Sequence, residues 1–397
     1  MSHPRIAIDV VATRFPLTGI GNYTMGIARG LSELQETDLD LFAWTGRRAK
    51  RLANFVEGFR PVKVAPGVGQ DLKPAEPARG LSHQIARAKY LAVRGADFLI
   101  DAAQGTRPFD VVHALNFFPD RKLSGQAIPV IYDMSPLRFS QMHPKERVLW
   151  FEAGLRRVET APLFVTISQF SADELMSLLG VAAERIRIVP PAVDEAYGLQ
   201  GEEEPAPLGL QKGRYLLSVA TLEPRKNFKT LVQAYSRLPE ATRARWPLVL
   251  TGKLGWGDLD LPAASEALRR SGQLLLTGYV DQQTLRRLYQ SAAGFVYPSV
   301  YEGYGMPVSE ALACGTQVAV SSGAATEEAA FGHAITVDAM DVDAWSQALA
   351  RLCDASVGET PEDRDRRSRA ATQYTWAEAA RRTVGAFDAV LGSGRPA

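Results

Sequence analysis

Four charged side chains in two short segments are the residues best placed to do chemistry. Glu302 and Glu310 stand eight positions apart in YEGYGMPVSEALACG. Gly303 and Gly305 permit a tight loop with exposed backbone N–H groups. Pro307 suits the first position of a helix. A helix opening there would present its N-terminus to an anion such as a diphosphate, and the two carboxylates could accept hydrogen bonds from the hydroxyls of a polyol. The plainer reading leaves Glu310 in the first helical turn, balancing the helix dipole. The second segment is SVATLEPRKNF, residues 218–228. Arg225 offers a planar fork and Lys226 a point charge, and both suit a diphosphate. Asn227 could cap the next helix. The plainer reading is a solvated basic turn.

Two further segments follow strands. LTGIGNYT, residues 17–24, has Gly19 and Gly21 but lacks the third glycine of a dinucleotide fingerprint. The next strand, LDLFAW, ends without an acid to hold a ribose. A glycine loop covering a phosphate or sugar fits better, beside the plain alternative of a tight turn. In IYDMSPLRF, Asp133 could contact a sugar or acceptor hydroxyl, or cap the turn after it. His113, in VVHALN, is a lone histidine at a strand end and reads as structural ahead of catalytic. No P-loop, HExxH or GxSxG elbow occurs. The acidic pairs at 38–40, 258–260 and 341–343 read as solvated acids, and no metal site is expected.

These segments need a scaffold. Short aliphatic runs alternate with longer amphipathic stretches, the rhythm of βαβ units and parallel sheets. Strands are predicted near 5–11, 39–44, 111–114, 129–132, 164–167 and 186–189, and again near 215–219, 248–251, 274–276, 294–297, 318–320 and 334–337. Helices are predicted near 20–34, 145–160, 169–179, 228–237, 282–291, 308–313 and 344–353. The segment GEEEPAPLGLQKG, residues 201–213, lacks periodicity and reads as a linker. The domains are therefore 1–200, a Rossmann-like N-terminal domain; 214–372, a second Rossmann-like domain; and 373–397, a helix. Ligands of open parallel sheets bind at the carboxyl ends of the strands, which places the site in a cleft between two doubly wound halves.

Composition bounds the partners. The chain has 397 residues, 45 Lys+Arg and 44 Asp+Glu, a net charge of +1. Nothing global points to nucleic acid. Two cysteines, Cys314 and Cys353, are too few for a disulfide framework, which suggests the cytoplasm. Arg5 and Asp9 interrupt the first apolar stretch, so no signal peptide is expected, and no apolar run reaches the roughly 18 residues of a membrane span. The pattern of residues 82–103 predicts an amphipathic helix carrying Arg87, Lys89 and Arg94. It reads first as a solvated face; the sharper alternative is a basic patch for an anionic lipid surface or a lipid-linked phosphate, to which the 24 Lys+Arg against 19 Asp+Glu of residues 1–190 add a little weight.

Together the motifs resemble the family 4 glycosyltransferases, retaining enzymes of the GT-B fold. The resemblance covers most of the chain and is densest over 214–338. Its specific element is the Glu-x7-Glu motif, Glu302 to Glu310, with the basic strand-end loop upstream and TGIGNYT near the N-terminus. The resemblance implies two Rossmann-like domains facing a cleft and a C-terminal helix around Trp376 crossing back to the first domain. It implies that Gly19 and Gly21 lie against donor phosphates or sugar, and that Arg225 and Lys226 hold the diphosphate of a nucleotide-sugar. Tyr279 and Val280 would offer backbone to the base, with Leu285 packing nearby. Glu302 would hold sugar hydroxyls, and Gly303, Gly305, Met306 and Pro307 would present backbone to sugar and phosphate. Glu310 would bind the ribose.

Two departures stand out. Ala220-Thr221 replaces the Gly-Arg of many members, and Tyr132-Asp133 replaces their His-Asp, so Asp133 inherits only part of that role. The LEPRKN variant is similar to that of GDP-mannose-using enzymes of bacterial polysaccharide synthesis. The implied partners are a nucleotide-sugar and a carbohydrate or lipid-linked oligosaccharide acceptor, with peripheral contact at the cytoplasmic face of the inner membrane. No cofactor is expected, since the nucleotide-sugar is a substrate. A UDP-sugar transferase and a non-catalytic sugar-binding protein are the alternatives. A sugar-nucleotide epimerase would need a carboxylate–histidine set that these motifs do not supply, and the incomplete fingerprint disfavours an NAD-dependent oxidoreductase.

Overall fold

Apolar runs become strands because parallel sheets cover them on both faces. In the computed structural model, which describes residues 3–13, 19–34, 38–59, 107–199, 206–253, 255 and 261–393, Ile6, Ala7 and Ile8 of β1 (Arg5–Asp9) are fully buried. The first sheet adds β2 (Asp40–Trp44), β3 (Ala49–Arg51), β4 (Arg107–Ala114), β5 (Leu123–Ile131), β6 (Phe164–Thr166) and β7 (Ile186–Ile188). Their order is β3-β2-β1-β4-β5-β6-β7. All neighbours run parallel except β3, which pairs antiparallel with β2. That short strand was not legible as one: Ala49 is half-buried while Lys50 and Arg51 are exposed, and charge on an edge strand blocks further pairing rather than marking a core.

The second sheet contains β8 (Leu216–Val219), β9 (Leu248–Thr251), β10 (Leu274–Gly278), β11 (Gly294–Tyr297), β12 (Val318–Ser321) and β13 (Ala334–Val337). Their order is β10-β9-β8-β11-β12-β13, parallel throughout. Chain order reverses between β1 and β4 in one sheet and between β8 and β11 in the other. Those reversals open the crevices where such sheets bind ligands.

The helix Trp376–Ser393 returns to the first half and packs on the helix Gly19–Glu33. Gly26 and Gly30 make the approach possible. A Cβ at Gly26 would lie 2.3 Å from the Trp376 ring, and one at Gly30 would lie 2.5 Å from the Trp376 carbonyl oxygen. Phe387 of the same helix meets His113 edge-on at 5.4 Å. His113 Nδ1 lies 3.2 Å from the Ile128 carbonyl, and burial lowers its pKa to about 4. It is a neutral core histidine, as its structural reading expected.

Candidate functional site

The loops after β8 and β11 meet at the second reversal point. Pro224–Lys226 forms one turn of 3-10 helix, and Asn227 follows with φ of 56°. This backbone turns the Asn227 side chain away from the helix Phe228–Ser236, so it makes no cap there. Its amide instead donates to the carbonyls of Pro298, at 3.1 Å, and Ala339, at 2.6 Å. The expected cap is replaced by a tie between loops. A second tie is Val300 N–H to the Arg225 carbonyl, at 3.0 Å.

These ties hold a buried ion cluster. Arg225 reaches Glu302 Oε2 at 3.1 Å and Glu223 Oε1 at 2.8 Å, and donates to the Tyr301 carbonyl. Lys226 Nζ donates to Glu302 Oε1 and, at 3.0 Å, to the Tyr297 hydroxyl. The side chains of Arg225, Lys226 and Glu302 are 12%, 9% and 9% exposed, which excludes the solvated basic turn. Burial alone would raise the Glu302 pKa, but the charges of Arg225 and Lys226 outweigh it and bring the value to about 2. Two carboxylates and two cations sum to zero charge. Apolar residues of similar volume would fill such a place at no loss of stability, so the cluster points to function.

Glu310 sits differently. Gly305 enters the helix Met306–Ala313 with φ of 107°, a conformation that only glycine adopts without strain. Glu310 is the fifth residue of that helix and lies beyond its first turn, so the dipole-balancing reading is corrected. It is buried, and the Tyr289 hydroxyl donates to its Oε2 at 3.0 Å. Burial raises its pKa to about 7, and Asp194 adds to the rise against the Tyr289 bond. Glu310 and Met306 wall a cavity of about 400 Å³. Asn22 and Arg29 of the first half, Asp194 of the connecting segment, Arg286 of the second half and Trp376 complete its sides.

The structure places the other predicted residues unevenly. Gly19 and Gly21 belong to the helix Gly19–Glu33, not to a glycine loop, and Gly21 is buried. The first two residues of that motif, 17 and 18, lie outside the described residues, as does the segment 82–103 read as amphipathic. Tyr279 is exposed, Val280 and Leu285 are half-buried, and none of the three lines the cavity. The Gly278 carbonyl accepts from Gly252 N–H at 3.0 Å. Asp133 Oδ1 accepts from Ser135 N at 2.9 Å and Ser135 Oγ at 2.7 Å, the capping role. It also faces the other half: a Cβ at Gly303 would lie 3.0 Å from the Asp133 Cβ and 1.8 Å from the Tyr132 carbonyl oxygen.

Gly303 is thus where the halves touch, and several groups hold them there. Ser168 Oγ and Ser171 Oγ donate to the Gly303 carbonyl at 2.6 and 3.2 Å. Met134 N–H donates to the Tyr301 hydroxyl at 3.0 Å. Both Glu328 oxygens accept from the first N–H groups of the helix Gln169–Leu179, at 2.8 Å from Gln169 and 2.7 Å from Phe170. Among the described residues, no three His, Cys, Asp or Glu side chains gather as metal ligands would. No helix among them is long and apolar enough to cross a membrane.

Comparison with known proteins places this geometry. Residues 17–197 match the family model described as Glycosyltransferase Family 4, and residues 200–374 match Glycosyl transferases group 1. O-antigen chain mannosyltransferase B of Escherichia coli is 32% identical over 94% of this chain and 97% of its own. The chain belongs to glycosyltransferase family 4. Its fold is GT-B. Sucrose-phosphate synthase from Thermosynechococcus elongatus superposes with a TM-score of 0.65 at 16% identity, over 98% of this chain and 100% of that one. HepE of Anabaena, in complex with UDP and glucose, superposes with a TM-score of 0.64 at 15% identity over the same shares.

This family 4 glycosyltransferase surrounds its motif residues with partners that the sequence reading did not assign. Glu223 pairs with Arg225, Tyr297 with Lys226 and Tyr289 with Glu310. His143 is also buried, and burial followed by the charges of Arg147 and Arg225 lowers its pKa to about 4. Glu223 lies within LEPRKN and could have been paired with the cations from its charge alone. The tyrosines and His143 lie in separate segments, and only folding brings them to the site.

Proposed function

We propose that this glycosyltransferase transfers mannose from GDP-mannose, with retention and without a metal ion, to a carbohydrate acceptor carried on a lipid. The product would be a bacterial surface polysaccharide, made at the cytoplasmic face of the membrane. The observation that carries the reading is the neutral, buried cluster of Arg225, Lys226, Glu223 and Glu302 at the β8/β11 reversal point. Fixed cations in a dry site stabilise charge that develops on a departing diphosphate, and they do so without reorganising. The sugar assignment draws on the mannosyltransferase relative.

In this reading Arg225 and Lys226 turn from Glu302 toward the diphosphate, and Glu302 accepts from sugar hydroxyls. Gly303, Gly305, Met306 and Pro307 line the sugar and phosphate with backbone. Glu310 binds the ribose from the cavity wall, while Tyr279, Val280 and Leu285 flank the base. Gly19 and Gly21 cover the donor from the first half, and Asp133 meets a sugar or acceptor hydroxyl. The bond from the anomeric carbon to the phosphate oxygen breaks as the acceptor oxygen bonds on the same face. The departing phosphate takes the acceptor proton. Leu149 and Trp150, exposed on the basic helix Lys145–Val158, support peripheral contact with anionic lipid.

The test is turnover with GDP-mannose and UDP-glucose, with and without a chelator, following nucleotide release and the anomeric configuration of the product. GDP release, an α-linked product and indifference to chelator are expected. Consumption of UDP-glucose alone would assign the donor to the UDP class. Tight sugar binding without turnover would make the protein a binding module.

A further inference from the structure

Tyr297 ends β11 and is 2% exposed. Its hydroxyl accepts from Lys226 Nζ at 3.0 Å, and its ring centroid lies 5.3 Å from the same nitrogen. The hydroxyl also bonds to Glu302. The ring is held from behind by Phe295, stacked at 5.8 Å with 23° between planes. A rigid aromatic ring therefore carries one oxygen to the side of the ion pair, within reach of both the cation and the carboxylate.

We infer that Tyr297 is a positioning residue that keeps Lys226 aimed at the donor diphosphate when Lys226 leaves Glu302. This rests on the proposed role of Lys226. An ammonium has three donors and no acceptor. In the structure Glu302 takes one and Tyr297 another. A diphosphate that draws Lys226 and Arg225 away leaves the buried Glu302 carboxylate short of donors, and a buried unpaired charge is costly. The tyrosine hydroxyl reduces that penalty by keeping one donor on Glu302. It is neutral, so it does not compete with the phosphate for the ammonium charge. It accepts from Lys226 at one side and donates to Glu302 at the other. The flexible lysine stem keeps a fixed anchor while its charge is handed over.

The experiment compares Tyr297→Phe with wild type in calorimetric binding of GDP and UDP against GMP and UMP. Removing one oxygen should weaken binding of the preferred diphosphate about tenfold and leave the monophosphate unchanged. In a Lys226→Met background the same substitution should add nothing. Equal weakening of mono- and diphosphate would make the hydroxyl merely structural and overturn the inference. So would a tenfold loss that persists without Lys226. A wild type that binds diphosphate no better than monophosphate would overturn the diphosphate role beneath it, and the positioning role with it. Should Tyr297→Phe unfold, 3-fluorotyrosine at 297 keeps the shape and makes the hydroxyl a weaker acceptor. Diphosphate affinity should still fall, and an unchanged value would overturn the proposal.

Discussion

The ion cluster around Glu302 and the cavity beside Glu310 share one loop and one helix, yet they treat a buried carboxylate in opposite ways. Burial pushes both acids up. At Glu302 two cations reverse the push and bring the pKa to about 2. At Glu310 the neighbours are a neutral tyrosine and the acid Asp194, and the value rises to about 7. The cluster is also built wholly from the second half, whereas both halves wall the cavity. Eight residues of sequence thus separate a carboxylate held as an anion from one poised to exchange a proton. What sets them apart is the charge of the neighbours, since depth is common to both.

The largest effect is expected at Glu302. Glu302→Gln leaves Arg225 and Lys226 buried with Glu223 alone, an uncompensated positive charge. Breaking a buried pair in this way costs about 3–5 kcal/mol, so the melting temperature should drop clearly. Initial transfer rates should fall about 10²–10³-fold, the usual consequence of spoiling a preorganised charged site. The pH dependence should change too. The Glu302 pKa is depressed from 4.5, so its contribution to stability is present above 4.5 and lost as pH falls through about 2. Acid titration of unfolding should be less steep in the variant over that window. A variant as stable and active as wild type would erase the contrast between the two regions.

A smaller effect is expected at Glu310, with the opposite pH sense. A raised carboxyl pKa means the folded chain keeps a proton that the unfolded chain releases above 4.5. That contribution is full below 4.5 and is lost as pH rises through about 7. Ribose hydroxyls donate best to the charged form. Nucleotide affinity in wild type should therefore rise about tenfold between roughly pH 6 and 8, while Glu310→Gln should bind weakly with no such slope. Calorimetry across that range decides it, and a flat wild-type profile would remove Glu310 from the nucleotide.

Much of this arrangement was legible in the residues. Apolar runs such as Ile6–Ile8 mark buried parallel strands, and charged residues at strand ends drew attention to Arg225, Lys226, Glu302 and Glu310. What escaped has physical causes. Asn227 reads as a cap in sequence, but its left-handed backbone denies it that role. Glu310 falls outside the first turn because the helix starts at Met306, a boundary set by the conformation of Gly305. The helix Pro361–Thr372 carries so few apolar residues that no periodicity shows. A capping box between Thr360 and Asp363 starts it, and Arg367 anchors it to the Gly315 carbonyl and Glu359. Tyr297 meets Lys226 across 71 positions, a pairing that β-sheet order creates and local pattern cannot.

The smallest effect sharpens the contrast in another way. Glu328 lies on the surface and caps the helix Gln169–Leu179 from across the cleft. Removing a helix cap costs about 1 kcal/mol, and here the loss falls on the contact between halves. Glu328→Ala should loosen the cavity, which needs both halves, and spare the cluster, which needs one. Binding of a nucleoside monophosphate should weaken about threefold. The further gain from a second phosphate, supplied by Arg225 and Lys226, should stay as in wild type. Equal erosion of both terms would mean that the cluster too depends on closure, and that the two regions act as one site.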